Sequence, residues 1–269
     1  MKNLLFLATL LCGLSFSASA QFEGEVQIKI TAADGGGTMA MFISKDAVKT
    51  EMNLSAENMQ MHMASLMKMD NPNIIYIIND KSKSYSELDL KEMEKMAQGM
   101  TRTKETYKVQ KLGKEKILGY DCDHILVSDS NSEMEMWIAK GIMDYDTFKK
   151  FNQSQQDNGL EKALKDAGVL GMPLKQIMNK GTAAETKMEV VKINKGKLPA
   201  STFDIPKGYK KTEGGLMGAG MDMMPDEAKA QMRKSLKNMS PDEKKQMKDA
   251  LKNMPTEQRK MMEQLLNEN

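Results

Sequence analysis

Between Phe22 and Ile30 the side chains alternate in character: Phe22, Val26, Ile28 and Ile30 fall on one side of an extended chain, Glu23, Glu25, Gln27 and Lys29 on the other. A period of two marks a strand with one face in a core and the other in water. The pattern recurs. Residues 38–44 and 47–54 read as a hairpin around Lys45 and Asp46, and the run 73–79 is turned by Asn79, Asp80, Lys81 and Ser82 into a strand at 83–88. Further strands are predicted at 106–112, 121–128, 133–140, 174–178 and 187–193, and Asp34-Gly35-Gly36-Gly37 reads as a turn because glycine tolerates positive φ. About ten or eleven short strands joined by turn-length connections predict an antiparallel sheet.

Two helical stretches interrupt the strands. Residues 90–98 form a short amphipathic segment, and 144–167 read as two helices divided near Asp157-Asn158-Gly159, with Asp144 and Asn158 as N-caps. A long sheet with one apolar face must cover that face with its helices or curl around a cavity. The expected fold class is therefore mainly β (α+β), a curved antiparallel half-barrel over residues 21–212 with helical insertions.

Residues 1–20 carry the marks of a secretory signal peptide: Lys2, an apolar run over 4–16, and the small-residue site Ala18-Ser19-Ala20. They predict a periplasmic or secreted protein, cleaved after Ala20. Leu11 precedes Cys12 where a lipoprotein signal needs a small residue, which argues against lipidation there. With Cys12 in the signal, Cys122 has no intramolecular partner and a disulfide framework is excluded. Lys and Arg number 39 against 37 Asp and Glu, mixed along the chain, which is not the footprint of a nucleic-acid binder. No run after the signal reaches membrane-spanning length.

Past a Gly- and Met-rich linker at 213–220 the chain becomes a helical repeat over 221–269. Met232, Met247 and Met262 are spaced by fifteen, as are Leu236, Leu251 and Leu266. Ser240-Pro241-Asp242-Glu243 is a capping-box start with proline at the first helical position, and Pro225 and Pro255 sit comparably. Units of about three turns are marginal alone in water, so they must pack on each other, on the sheet or on a partner protein.

Methionine is the outlier, 28 residues against 7 Phe and 1 Trp. Its flexible thioether fills irregular apolar space and suits surfaces that accept varied partners. Ile28, Ile30, Met39, Met41, Met61, Met63, Met134 and Met136 are read as lining the apolar face and contacting a hydrophobic ligand. The alternative for Met59, Met61, His62 and Met63 is a Cu(I) site, since soft thioethers favour that ion. In an extended strand, however, His62 points away from the methionines. Asp121-Cys122-Asp123-His124 could start a zinc site, but closing it needs two more ligands and the only other histidine is His62, so a strand with a buried thiol is expected. The same scarcity of histidine argues against a Ser/His/Asp or Cys/His hydrolase, and no glycine run fits a phosphate loop. A non-enzymatic binding protein without a cofactor is expected.

Three segments carry a resemblance: Lys116-Ile117-Leu118-Gly119-Tyr120-Asp121-Cys122, then Glu135-Met136-Trp137-Ile138-Ala139-Lys140, then Phe203-Asp204-Ile205-Pro206-Lys207-Gly208-Tyr209. Their order resembles an uncharacterised family of exported bacterial proteins, a domain of unknown function that is similar in outline to the lipoprotein-carrier (LolA/LolB-like) superfamily. The resemblance runs from Phe22 to about Tyr209. It implies a curved half-barrel with a helical lid and an apolar cavity that holds acyl chains, with the tail outside it.

Overall fold

The computed structural model describes residues 22–56, 59–92, 106–130, 132–143, 159–212, 226–251 and 259. The strands are β1 (Gly24–Ala32), β2 (Gly35–Ile43), β3 (Ala47–Ala56), β4 (Met59–Lys68), β5 (Ile74–Asn79), β6 (Ser84–Asp89), β7 (Lys108–Ile117), β8 (Tyr120–Ser128), β9 (Glu133–Ala139), β10 (Met172–Met178), β11 (Thr186–Lys195) and β12 (Lys210–Lys211). They form one curved, open sheet in the order β12-β6-β5-β4-β3-β2-β1-β11-β10-β9-β8-β7. β1 to β6 are a meander, β7 to β11 a second, and the pairing of β11 with β1 joins them. All neighbours are antiparallel except β12, which runs parallel to β6. The expected half-barrel is the architecture observed.

Local chemistry sets the turns. Between β2 and β3, Ser44 Oγ accepts the N–H groups of Asp46 and Ala47. Between β5 and β6, Asn79 Oδ1 accepts those of Lys81 and Ser82. Leu118 at φ 49° and Gly119 at φ 83° join β7 to β8, both left-handed as a two-residue hairpin of the twist-matching kind requires.

Two sequence expectations are corrected. Gly35, Gly36 and Gly37 are strand, not turn; the reversal lies at Ala33 and Asp34, one step earlier. A β-carbon on Gly36 would stand 2.6 Å from the Ile30 carbonyl oxygen, and one on Gly37 would collide with that of Asn53, so the glycines serve close approach of neighbouring backbones. The helix α1 (Leu160–Asp166) has Gly159 at its N-cap position, at φ 91°, one residue past the expected cap at position 158.

A helical turn opens at Leu90, where Asp89 Oδ1 accepts the Lys91 N–H at 2.8 Å. The rest of that segment, the helix expected at 144–158, the signal peptide expected at 1–20, the linker expected at 213–220 and most of the third expected tail unit lie outside the described residues. Two tail units are described, α2 (Asp226–Lys237) and α3 (Pro241–Leu251). The capping box at the start of α3 is formed: Ser240 N–H donates to Glu243 Oε2 at 2.7 Å and Glu243 N–H to Ser240 Oγ at 3.3 Å. Among the described residues no helix is long and apolar enough to cross a membrane.

Candidate ligand-binding face

Because directly paired residues project to the same side of a sheet, the registers place side chains on its two faces. One row runs Ile125, Met136, Gln176, Met188, Ile30, Gly37, Leu54, Met61 from β8 to β4. A second runs Val190, Ile28, Met39, Met52, Met63 from β11 to β4. Met41 and Met134 stand two positions along their strands from Met39 and Met136, on that same side. All of Ile28, Ile30, Met39, Met41, Met61, Met63, Met134 and Met136 thus occupy one face, although they are drawn from β1, β2, β4 and β9.

That face is packed unevenly. Toward β8 and β9, α1 and the turn after it cover it: Leu164 and Val169 form a core with Ile125, Val127, Met136 and Ile138. Toward β1 and β2, Val26, Ile28 and Met41 are buried with Leu174 and Val190, while Met39 and Met188 pack against them only partly buried. Met52, Leu54, Met61 and Met63 are half-buried. Gly37 leaves its row without a side chain between Ile30 and Leu54.

Over β3 to β6 the opposite face is covered by residues 198–211. The 3-10 turn Ala200–Phe203 sends Phe203 onto Ala47, Ala64, Leu66 and Ile78, with Leu198, Ile205 and Tyr209 around it. Gly208 at φ 85° turns the chain so that β12 pairs with β6. Tyr209 Oη donates to Asp80 Oδ1 at 2.6 Å; Asp80 Oδ2 lies 3.0 Å from His62 Nε2, and His62 Nδ1 2.7 Å from Asn53 Oδ1. The Tyr209 hydroxyl first, and His62 after it, hold the Asp80 carboxyl below the usual aspartate range.

Farther along, Lys175, Trp137 and His124 form a cross-strand stack. The His124 and Trp137 rings lie 4.0 Å apart and 9° from parallel, Lys175 Nζ stands 4.2 Å over Trp137, and the indole N–H donates to Glu115 Oε2 at 2.6 Å. His124 Nε2 is 3.1 Å from Glu135 Oε2, and Lys180 Nζ donates to Glu135 Oε1 at 2.6 Å. Lys180 first, then His124, keep Glu135 below the ordinary glutamate range.

These contacts bear on the metal alternatives. His62 is opposite Asn53, on the other face from Met61 and Met63, and both its ring nitrogens already face oxygen partners. Cys122 is buried with its thiol toward the Tyr120 carbonyl, and burial pushes that thiol up. Among the described residues no group of three or more His, Cys, Asp or Glu is gathered to hold a metal.

Surface grooves occur among the described residues. One of about 400 Å³ is lined by Asp46, Lys68, Lys197 and Phe203, and one of about 510 Å³ by Glu135, Ile177, Lys180 and Thr182. None of the eight residues expected to contact a ligand lines either groove.

The stretch from the buried Phe22 to Tyr209 of the clasp, residues 22–209, matches the domain of unknown function DUF4412. The chain belongs to the DUF4412 family. In its DUF4412 domain the Leu118-Gly119 turn, Trp137 and the Phe203–Tyr209 clasp are the hairpin, stack and closure described above. A comparison with curated proteins finds no match. Among solved structures the chain is similar to an uncharacterized conserved protein from Thermus thermophilus, at 7% identity over 71% of this chain and 90% of that one, TM-score 0.42. It is also similar to a chain of the Pseudomonas aeruginosa MucA/MucB complex, at 10% identity over 71% and 57%, TM-score 0.36. Against the Mycobacterium tuberculosis lipoprotein LppX the figures are 12% identity, 64% and 87% coverage, and TM-score 0.31.

Proposed function

We propose that this DUF4412 protein is a non-enzymatic, exported binding protein whose methionine-bearing sheet face receives a lipid or another acyl-chain ligand. The observation that carries the reading is the uncharged continuity of that face. From β1 through β6 every position on it is apolar, glycine, hydroxyl-bearing or, at Asn79, amide, while the other face of the same strands holds Glu25, Lys29, Lys49, Glu51 and Glu87. Half-buried methionines concentrate there, and thioether side chains re-pack around varied apolar shapes. Each methylene moved from water to such a surface contributes about 0.8 kcal/mol, so a long acyl chain supplies on the order of 10 kcal/mol before ordering costs.

Export follows from the signal features at 1–20, and the tail helices are a candidate surface for a protein partner. Native mass spectrometry of the gently purified protein tests the reading: a mass increment of a lipid, lost on delipidation and restored by adding acyl ligand, is expected. A bare polypeptide mass that no acyl ligand changes contradicts it.

A further inference from the structure

One row of the proposed ligand face differs from the rest. It runs Ile193, Val26, Met41, Thr50, Ser65, Ile77, Ser86 from β11 to β6, and three of its seven residues carry hydroxyls. Thr50 and Ser65 are half-buried, whereas Ser86 is only 2% exposed. Among the described residues the Ser86 hydroxyl is buried without a hydrogen-bond partner. Its neighbour Ser84 is satisfied, with Oγ 2.6 Å from Ser82 Oγ. A buried hydroxyl left unpaired costs stability that an alanine would avoid, so its presence calls for a partner supplied from outside.

The surroundings define that partner. Ser86 lies beside Ile77 with Leu88 two positions on, and no charged residue stands on this face from β1 to β6. A charged head group would lose its hydration there with no ion among the described β1 to β6 positions of this face to replace it, whereas a neutral group that hydrogen-bonds hydroxyls would be matched. Resting on the carrier reading above, we propose that the ligand is an amphiphile with an uncharged, hydrogen-bonding head group, such as an acyl ester or alcohol. Its head seats on the Ser86 end of the Thr50–Ser65–Ser86 row and its chain lies along Met39, Met52 and Met63.

The test is displacement of a fluorescent acyl probe from the full chain by three competitors of equal chain length: a monoacylglycerol, a fatty acid ionised at pH 8, and an alkane. One hydrogen bond made in place of an orphan changes affinity by about tenfold. The monoacylglycerol should therefore compete about tenfold more strongly than the other two. Ser86→Ala should erase that advantage and leave alkane competition unchanged, and Thr50→Val with Ser65→Ala should weaken it. Alanine at 86 removes a burden, so the variant should melt no lower than the parent, which separates lost recognition from lost folding. Equal competition by all three ligands, or an advantage that survives Ser86→Ala, overturns this inference and leaves the carrier reading standing. If the protein takes up no probe, both fall together, and that outcome is read from the probe alone.

Discussion

The Tyr209 hydroxyl donates to Asp80 Oδ1 at 2.6 Å, tying the last residue of the DUF4412 match to the β5–β6 turn 129 positions earlier in the chain. The bond anchors the clasp whose Phe203 packs on Ala47, Ala64, Leu66 and Ile78, on the side of the sheet opposite the methionines.

The strength of that anchor should follow pH with a fixed sign. Because Asp80 is held below its ordinary value, its contribution is complete above about pH 4 and is lost as pH falls through the lowered folded value. The same bond raises the Tyr209 phenol, so at the alkaline end the contribution is lost above about pH 10, as the unfolded phenol ionises. Tyr209→Phe should lower the melting temperature at neutral pH and flatten its dependence at both ends. A variant whose melting temperature tracks the parent at every pH would show that the bond holds nothing.

Phe203 is the apolar half of the clasp, 7% exposed among Ala47, Ala64, Leu66 and Ile78. Phe203→Ala should cost about 3–5 kcal/mol, measured by urea denaturation. Limited proteolysis should then cut within 198–212 before cutting the β1–β4 meander. First cleavage elsewhere would mean that this segment does not depend on its aromatic anchor.

Trp137 is the only tryptophan, so its emission reports on one place in the fold. His124→Ala removes the stacked ring at 4.0 Å and should cost about 1 kcal/mol while changing native emission intensity. Glu115→Gln keeps an acceptor for the indole N–H and should retain more stability than Glu115→Ala. Equal melting temperatures for those two variants would remove the Trp137–Glu115 bond from the account.

Cys122 is 1% exposed and burial raises its thiol, so it should be a slow nucleophile. Peptide mass spectrometry after iodoacetamide should find it unmodified in the native protein and fully modified in urea. Rapid native alkylation would mean that the edge strand β7 separates readily from β8.

Much of this is legible in one dimension. The alternation at Phe22–Ile30 predicts β1, and the spacing of Met39/Met41, Met61/Met63 and Met134/Met136 puts each pair on one side of its strand. Strand periodicity is local, so it can be read locally; Ser240 and Glu243 form their capping box for the same reason. What cannot be read is register between distant strands. Nothing in the sequence tells Trp137 that Lys175, His124 and Glu115 will surround it, or Tyr209 that Asp80 will accept its hydroxyl. The glycines at 35–37 mislead because a glycine needed for a turn and one needed for close backbone approach look the same in a linear sequence. Ser86 gives no signal either: its interest lies in burial without a partner, a three-dimensional property.

The most direct measurement is titration of the full chain with a fluorescent fatty-acid probe, beside Met39→Glu and Met63→Glu variants that place charge on the apolar face. Saturable uptake by the parent is expected, with at least about tenfold weaker uptake by each variant and unchanged uptake when Lys175→Ala alters the opposite face. Absence of saturable uptake by the parent, or uptake indifferent to glutamate at 39 and 63, would contradict the carrier reading.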